Sequence, residues 1–157
     1  MSTPKISCIA LIGRNNSPLH LQTFPSQPQS QPPSPSTTLK YHFLTHATLD
    51  VFQSRLPLKS NGDSDFGLLY SIDEELAAYG WLTNTGVKIV VVVDVGGAGA
   101  VAGGGGAGGG GGGAGGGGGL GVKDGELKGV FRALQTAYIR LVCNPFYELG
   151  VGGGGEG

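Results

Sequence analysis

Leu76-Ala77-Ala78-Tyr79-Gly80-Trp81-Leu82-Thr83-Asn84 and Val87-Lys88-Ile89-Val90-Val91-Val92-Val93-Asp94-Val95, joined by Thr85-Gly86, decide the fold of this chain. Asn84-Thr85-Gly86 is hairpin chemistry, because Asn and Gly accept the positive φ that a tight turn between antiparallel strands requires. The four consecutive valines do not alternate with polar residues, so this strand belongs in the middle of a sheet covered on both faces. Phe66-Gly67-Leu68-Leu69-Tyr70-Ser71-Ile72 precedes the pair as another strand, with Asp73-Glu74-Glu75 turning the chain between them.

Upstream, Ile6 to Ile12 is a nearly continuous apolar run and reads as a buried strand. Arg14-Asn15-Asn16-Ser17-Pro18 supplies turn residues, and Leu19 to Phe24 returns as a second strand of an antiparallel hairpin. Leu39 to Leu56 reads as helix, stopped by Pro57. On a projection of about 100° per residue its apolar side chains form two arcs, Phe43, Leu44, Ala47 and Val51 on one, Tyr41, Leu49, Phe52 and Leu56 on the other. Packing on a sheet needs one stripe, so the second arc is expected to meet another element or another subunit. Downstream, Asp124 is placed to cap a helix reaching Cys143, with Leu127, Val130, Phe131, Leu134, Ala137, Tyr138 and Leu141 at three-and-four spacing and Asn144-Pro145 ending it. The order is ββαβββα: an α+β fold with a five-stranded antiparallel sheet and helices on both faces.

The chain has 157 residues, room for one domain. We read 1–150 as that domain, interrupted by a Pro/Ser/Gln-rich loop at 25–38 and a Gly-rich loop at 96–121, with 151–157 as a disordered tail. Without these stretches roughly 110 residues remain, enough for a core of their own. Ten basic side chains against 11 acidic ones argue against a nucleic-acid-binding or strongly membrane-attracted surface. Lys5 followed by Ile6 to Ile12 imitates an export signal, but Gly13-Arg14-Asn15-Asn16 offers no small-residue cleavage site. Val87 to Val95 contains Lys88 and Asp94 and is too short to span a bilayer. Cys8 and Cys143 stand in apolar segments without C-x-x-C spacing and read as reduced, packed thiols. A soluble cytosolic protein is expected.

Chemistry finds little purchase. Polyglycine matches G-x-G-x-x-G many times over, but the tract has no bounded length and ends Leu120-Gly121-Val122-Lys123-Asp124, without the Lys-Ser/Thr pair of a phosphate loop. His42 and His46 share one helix face at ligand spacing; Phe43 replaces the glutamate of a zinc-protease motif, and His20 is remote in sequence, so a surface pair is the preferred reading. Pro25-Ser26-Gln27-Pro28 and Pro32-Pro33-Ser34-Pro35 match P-x-x-P, though a solvated loop explains them as well. No G-x-S-x-G elbow and no spaced carboxylate pair occurs. We expect no catalytic, metal or cofactor site.

Four segments in order carry a resemblance: Lys40-Tyr41-His42-Phe43 leading to His46-Ala47-Thr48-Leu49-Asp50-Val51, then Phe66-Gly67-Leu68-Leu69-Tyr70, Tyr79 to Lys88, and Asn144-Pro145-Phe146-Tyr147. Together they resemble the sedlin family of TRAPP tethering-complex subunits. The resemblance implies a longin-like fold and a non-catalytic adaptor in early secretory traffic, bound to other TRAPP subunits. It implies contact with a Rab GTPase only through the whole complex, and a cytoplasmic location peripheral to ER–Golgi membranes. It singles out Asp50 and Asn144, Pro145, Phe146 and Tyr147, which join Tyr41, Leu49, Phe52 and Leu56 as expected interface residues. Two other functions fit the pattern less well: a longin-type regulatory domain of membrane-fusion machinery, which would call for a heptad helix and an anchor, and a small-molecule binder using the Gly-rich loop. The chain departs from the family in both insertions and in the Gly-rich Gly152 to Glu156, where the family continues into another helix. Apolar surface on the second helix is therefore expected to lie uncovered.

Overall fold

A computed structural model describes residues 5–24, 35–56, 62–72, 76–95, 122 and 125–147. The glycine tract 96–121, Asp73 to Glu75, Pro57, Asp124 and the tail 151–157 lie outside these residues. The order is β1 (Lys5–Ile12), β2 (Pro18–Thr23), α1 (Pro35–Arg55), β3 (Ser64–Ile72), β4 (Leu76–Leu82), β5 (Lys88–Asp94) and α2 (Glu126–Val142), the expected ββαβββα. The strands form one sheet in the order β2-β1-β5-β4-β3, with every neighbouring pair antiparallel.

Two hairpin turns built alike close one end of the sheet. Gly13 N–H donates to Ser17 O at 2.8 Å and Asn16 N–H to Gly13 O at 3.0 Å; Thr83 N–H donates to Val87 O at 2.9 Å and Gly86 N–H to Thr83 O at 3.0 Å. Each loop places its third residue in the left-handed region, Asn16 at φ 65° and Gly86 at φ 86°. Asn15-Asn16-Ser17 is thus the turn its composition indicates, and Asn84-Thr85-Gly86 is its partner across the sheet.

β5 occupies the centre, and the period of two along it feeds both layers. Val90 and Val92 join Leu44, Leu49, Phe52, Phe66, Leu69 and Ala78 under α1. Ile89, Val91 and Val93 join Trp81 and Phe131 under α2. The valine run is buried throughout, as a central strand covered on both sides demands.

The α1 layer is the tighter. Phe52 is fully buried, and its ring lies 4.9 Å from that of Phe66. It crosses the sheet at Gly80, where a Cβ would stand 2.7 Å from Phe52 Cζ and 2.4 Å from Leu69 Cδ1. Gly80 is therefore a contact surface, and its lack of a side chain lets the helix close on β4. On the other face Trp81 stacks on Phe131 at 5.7 Å, and Trp81 Nε1–H donates to Gln135 Oε1 at 3.2 Å. Gln135 Nε2 in turn donates to Asp63 Oδ2 at 3.1 Å, while Asp63 Oδ1 accepts the amide of Asn84 at 2.8 Å. A polar chain thus ties α2 to the β4–β5 turn.

Three boundaries differ from the sequence reading. α1 starts at Pro35, inside the stretch 25–38 read as loop. Proline has no amide hydrogen and a φ near −65°, which suits the first turn of a helix, so Pro35 opens one as readily as it belongs to a P-x-x-P run. α2 begins at Glu126, preceded by Gly125 with φ 106°; Asp124, read as the cap, lies outside the described residues. β3 extends back to Ser64, because the Asp65 carboxylate accepts the Gly67 amide at 2.8 Å and holds a bulge with Gly67 at φ 62°.

Candidate functional site

The two apolar arcs of α1 do not divide as the projection suggests: the sheet takes Leu44 and Val51 from one and Tyr41, Leu49 and Phe52 from the other, leaving Phe43, Ala47 and Leu56 exposed. Leu44, Thr45, Thr48, Leu49 and Phe52 are the buried residues of the helix, and Tyr41 and Val51 pack against the same cluster. Leu49 and Phe52, read as docking residues, are core, with Phe52 seated in the hollow above Gly80. Tyr41 is half-buried, and burial, only partly offset by its hydrogen bond with Ser7, raises its phenol above the ordinary value. Thr45 and Thr48 enter the core without leaving polar atoms unpaired: their hydroxyls donate to Tyr41 O at 2.7 Å and to Thr45 O at 2.6 Å.

The exposed arc is Leu39, His42, Phe43, His46, Ala47 and Asp50, which together line a shallow open surface. Phe43 is 69% exposed and Leu39 55%. Asp50 lies on this face, and Leu56 is exposed at the end of the helix. A helix buried on one side and apolar on the other is what a docking element between two bodies looks like.

Around the edge of α1 a narrower cleft opens toward β1 and β2, lined by Ile12, Leu21 and Leu49 together with His20, His42 and His46. His20 borders this cleft along β2, but it stands opposite Leu11, which packs in the cluster under α2, so its side chain lies on the other face of the sheet from His42 and His46. Among the described residues no group of three or more His, Cys, Asp or Glu side chains is arranged to hold a metal ion.

At the hairpin end Lys88 is buried and its ammonium donates to Asn16 Oδ1 at 2.9 Å. Burial lowers its pKa, since the partner is a neutral amide that returns little of the lost hydration. Cys8 is buried, and desolvation pushes its thiol up to about 12. Both cysteines are free; Cys143, expected to pack, is exposed. Asn144, Pro145 and Phe146 lie exposed beyond α2, Phe146 at 91%, and Tyr147 is half-buried. Ile139, Leu141 and Val142 are also exposed. The Asn144 side chain accepts the Phe146 amide at 3.1 Å and fixes the turn that presents the ring. Among the described residues no helix is long and apolar enough to cross a membrane.

Comparison with known proteins agrees with this architecture. The family model described as Sedlin matches residues 11–151. The trafficking protein particle complex subunit 2-like protein of Dictyostelium discoideum is 33% identical over 146 residues, 92% of this chain and 84% of the relative. Its namesakes in Bos taurus and Mus musculus are 28% and 29% identical over 148 residues, 91% of this chain and 84% of each relative. The match takes in nearly the whole of the sheet and both helices, in order and at nearly full length: this chain belongs to the Sedlin family.

Proposed function

We propose that this protein is a non-catalytic adaptor subunit of the trafficking protein particle complex, docking through the outer face of α1. The observation that carries the reading is the match to subunit 2-like relatives over nine-tenths of the chain, combined with an apolar helix face that the chain's own sheet does not use. Leu39, Phe43 and Ala47 supply the contact area, with Asp50 and Leu56 beside them. Asn144, Pro145, Phe146 and Tyr147 offer a second apolar surface at the end of α2. An aromatic ring exposed at the centre of an apolar patch is the usual anchor of a protein interface.

In this role the chain contributes shape and contact area, and activation of a Rab GTPase is a property of the assembled complex. Its near-balanced charge suits a protein partner better than nucleic acid. The location that follows is cytoplasmic, at ER–Golgi membranes through the complex. Affinity purification of the tagged chain from its own cells tests the reading. Other subunits of the complex should co-purify, and the purified chain alone should leave Rab nucleotide exchange unchanged. Recovery of a folded chain without those subunits would refute it.

A further inference from the structure

The two edges of the sheet are unequally protected. At β3 the Arg55 guanidinium donates to the carbonyls of Phe66 and Leu68 at 3.0 and 2.9 Å, and register shifts at Asp65/Gly67 and Leu68/Tyr70 break the ladder with β4 twice. Bulges and a capping cation are ways in which proteins make an edge unfit for pairing. β2 has neither. From Cys8↔Thr23 to Leu11↔His20 its pairing with β1 is regular, and among the described residues β1 is its only neighbour.

The register fixes which groups β2 turns outward. Phe24 N–H donates to Ser7 O at 2.8 Å, so Ser7 and Phe24 are a hydrogen-bonded pair. In an antiparallel ladder such pairs alternate, and the backbone groups of Thr23 and Leu21 therefore point away from β1. Thr23 O accepts only an exposed side-chain amide, that of Gln22, at 3.2 Å. Beside this edge lies the cleft of about 70 Å³ between β2 and α1, walled by Ile12, Leu21 and Leu49. The His42 and His46 imidazoles also line it, and among the described residues no carboxylate does.

We propose that the β2 edge is a strand-addition site, which takes an extended segment of a partner protein with an aliphatic side chain in the cleft and an acidic residue beside it. The partner's backbone pairs with Leu21 and Thr23, extending the sheet to a sixth strand. Strand addition draws affinity from main-chain hydrogen bonds and specificity from pockets for alternate side chains. The aliphatic side chain meets the apolar walls. The acidic one meets imidazoles, which each offer at least one N–H donor and face no carboxylate in the wall. This site adjoins the outer face of α1 and shares His42 and His46 with it, while its backbone pairing at Leu21 and Thr23 lies outside that face.

Selection of a displayed library of random twelve-residue peptides on the full chain tests the proposal. Enriched peptides should alternate, with an aliphatic residue accompanied by Asp or Glu. On titrating such a peptide, amide exchange should slow at Leu21 and Thr23, while β3 amides stay unchanged. Thr23→Pro removes an outward-facing donor from an edge strand, where proline is tolerated; it should weaken the peptide about tenfold, as expected for one lost main-chain hydrogen bond. No enrichment, or enriched peptides that leave the exchange of Leu21 and Thr23 unaltered, would overturn the site. So would binding undiminished in Thr23→Pro. Co-purification of the trafficking complex should be lost with Phe43→Asp and not with Thr23→Pro, which separates this site from assembly.

Discussion

The sheet has two faces that are covered to different degrees. Under α1, Phe52 and Phe66 meet over Gly80, and five residues of the helix are buried. Under α2, Phe131 is the one buried residue of the helix, and Trp81 is held by one stacked ring and a polar chain through Gln135 to Asp63. α1 closes the core and keeps an outer apolar face exposed, while α2 leaves Ile139, Leu141 and Val142 exposed near its end. Packing is thus concentrated on one side of the sheet, and apolar side chains are left exposed on the outer side of both helices.

The largest test of this contrast is truncation of the two anchor rings. Phe52→Ala should destabilise the chain by about 4 kcal/mol, since it empties a fully packed site. Phe131→Ala should cost less, about 3 kcal/mol, because a helix with an exposed flank can settle onto the gap. Denaturant unfolding of both variants measures the difference, and equal losses would mean that the layers are equally closed. A smaller effect is expected from Gly80→Ala. Its Cβ would overlap Leu69 and Phe52, and both must shift, at about 2 kcal/mol; a neutral outcome would show that the α1 layer has slack.

The thiols sharpen the contrast without changing the core. Cys143 should react with a thiol reagent at once in the folded protein, and Cys8 only after unfolding. Cys8 also gives a pH dependence whose sign follows from its burial. Its folded-state pKa is raised from 9.0 to about 12, so the folded chain keeps a proton that the unfolded chain releases. The resulting stability is fully present below pH 9 and is lost as pH rises toward 12. The melting temperature should therefore fall over that window, and fall less steeply in Cys8→Ala. Parallel curves would show that the thiol does not contribute.

Most of the fold was legible in the sequence because its strong signals are local. Asn84-Thr85-Gly86 fixes a turn, Val90 to Val93 fixes a central strand, and the spacing from Leu127 to Leu141 fixes a helix. The four segments that resemble sedlin then agree with the order of elements. The inner face of α1 was legible only in part: two arcs on one helix could be counted, but the sheet takes residues from both, centred on Phe52 in the hollow above Gly80, a contact between residues 28 apart in sequence (Phe52 to Gly80). Pro35 was misread for a related reason, since a proline that opens a helix looks the same as one in a loop until the following turn is seen. The cleft that sets Leu21 beside Leu49 and His46 depends on the register of β2 with β1, and no local spacing encodes it.

Whether the outer face of α1 is the docking face of a trafficking-complex subunit is decided by the tagged wild-type chain and Phe43→Asp side by side. Both are purified from cells, and the co-purifying subunits are quantified. Phe43 is 69% exposed, so the substitution should change stability by no more than about 0.5 kcal/mol. The account predicts that the wild type brings the other subunits with it, and that Phe43→Asp, equally folded, loses most of them. Full recovery of the complex by Phe43→Asp would contradict it.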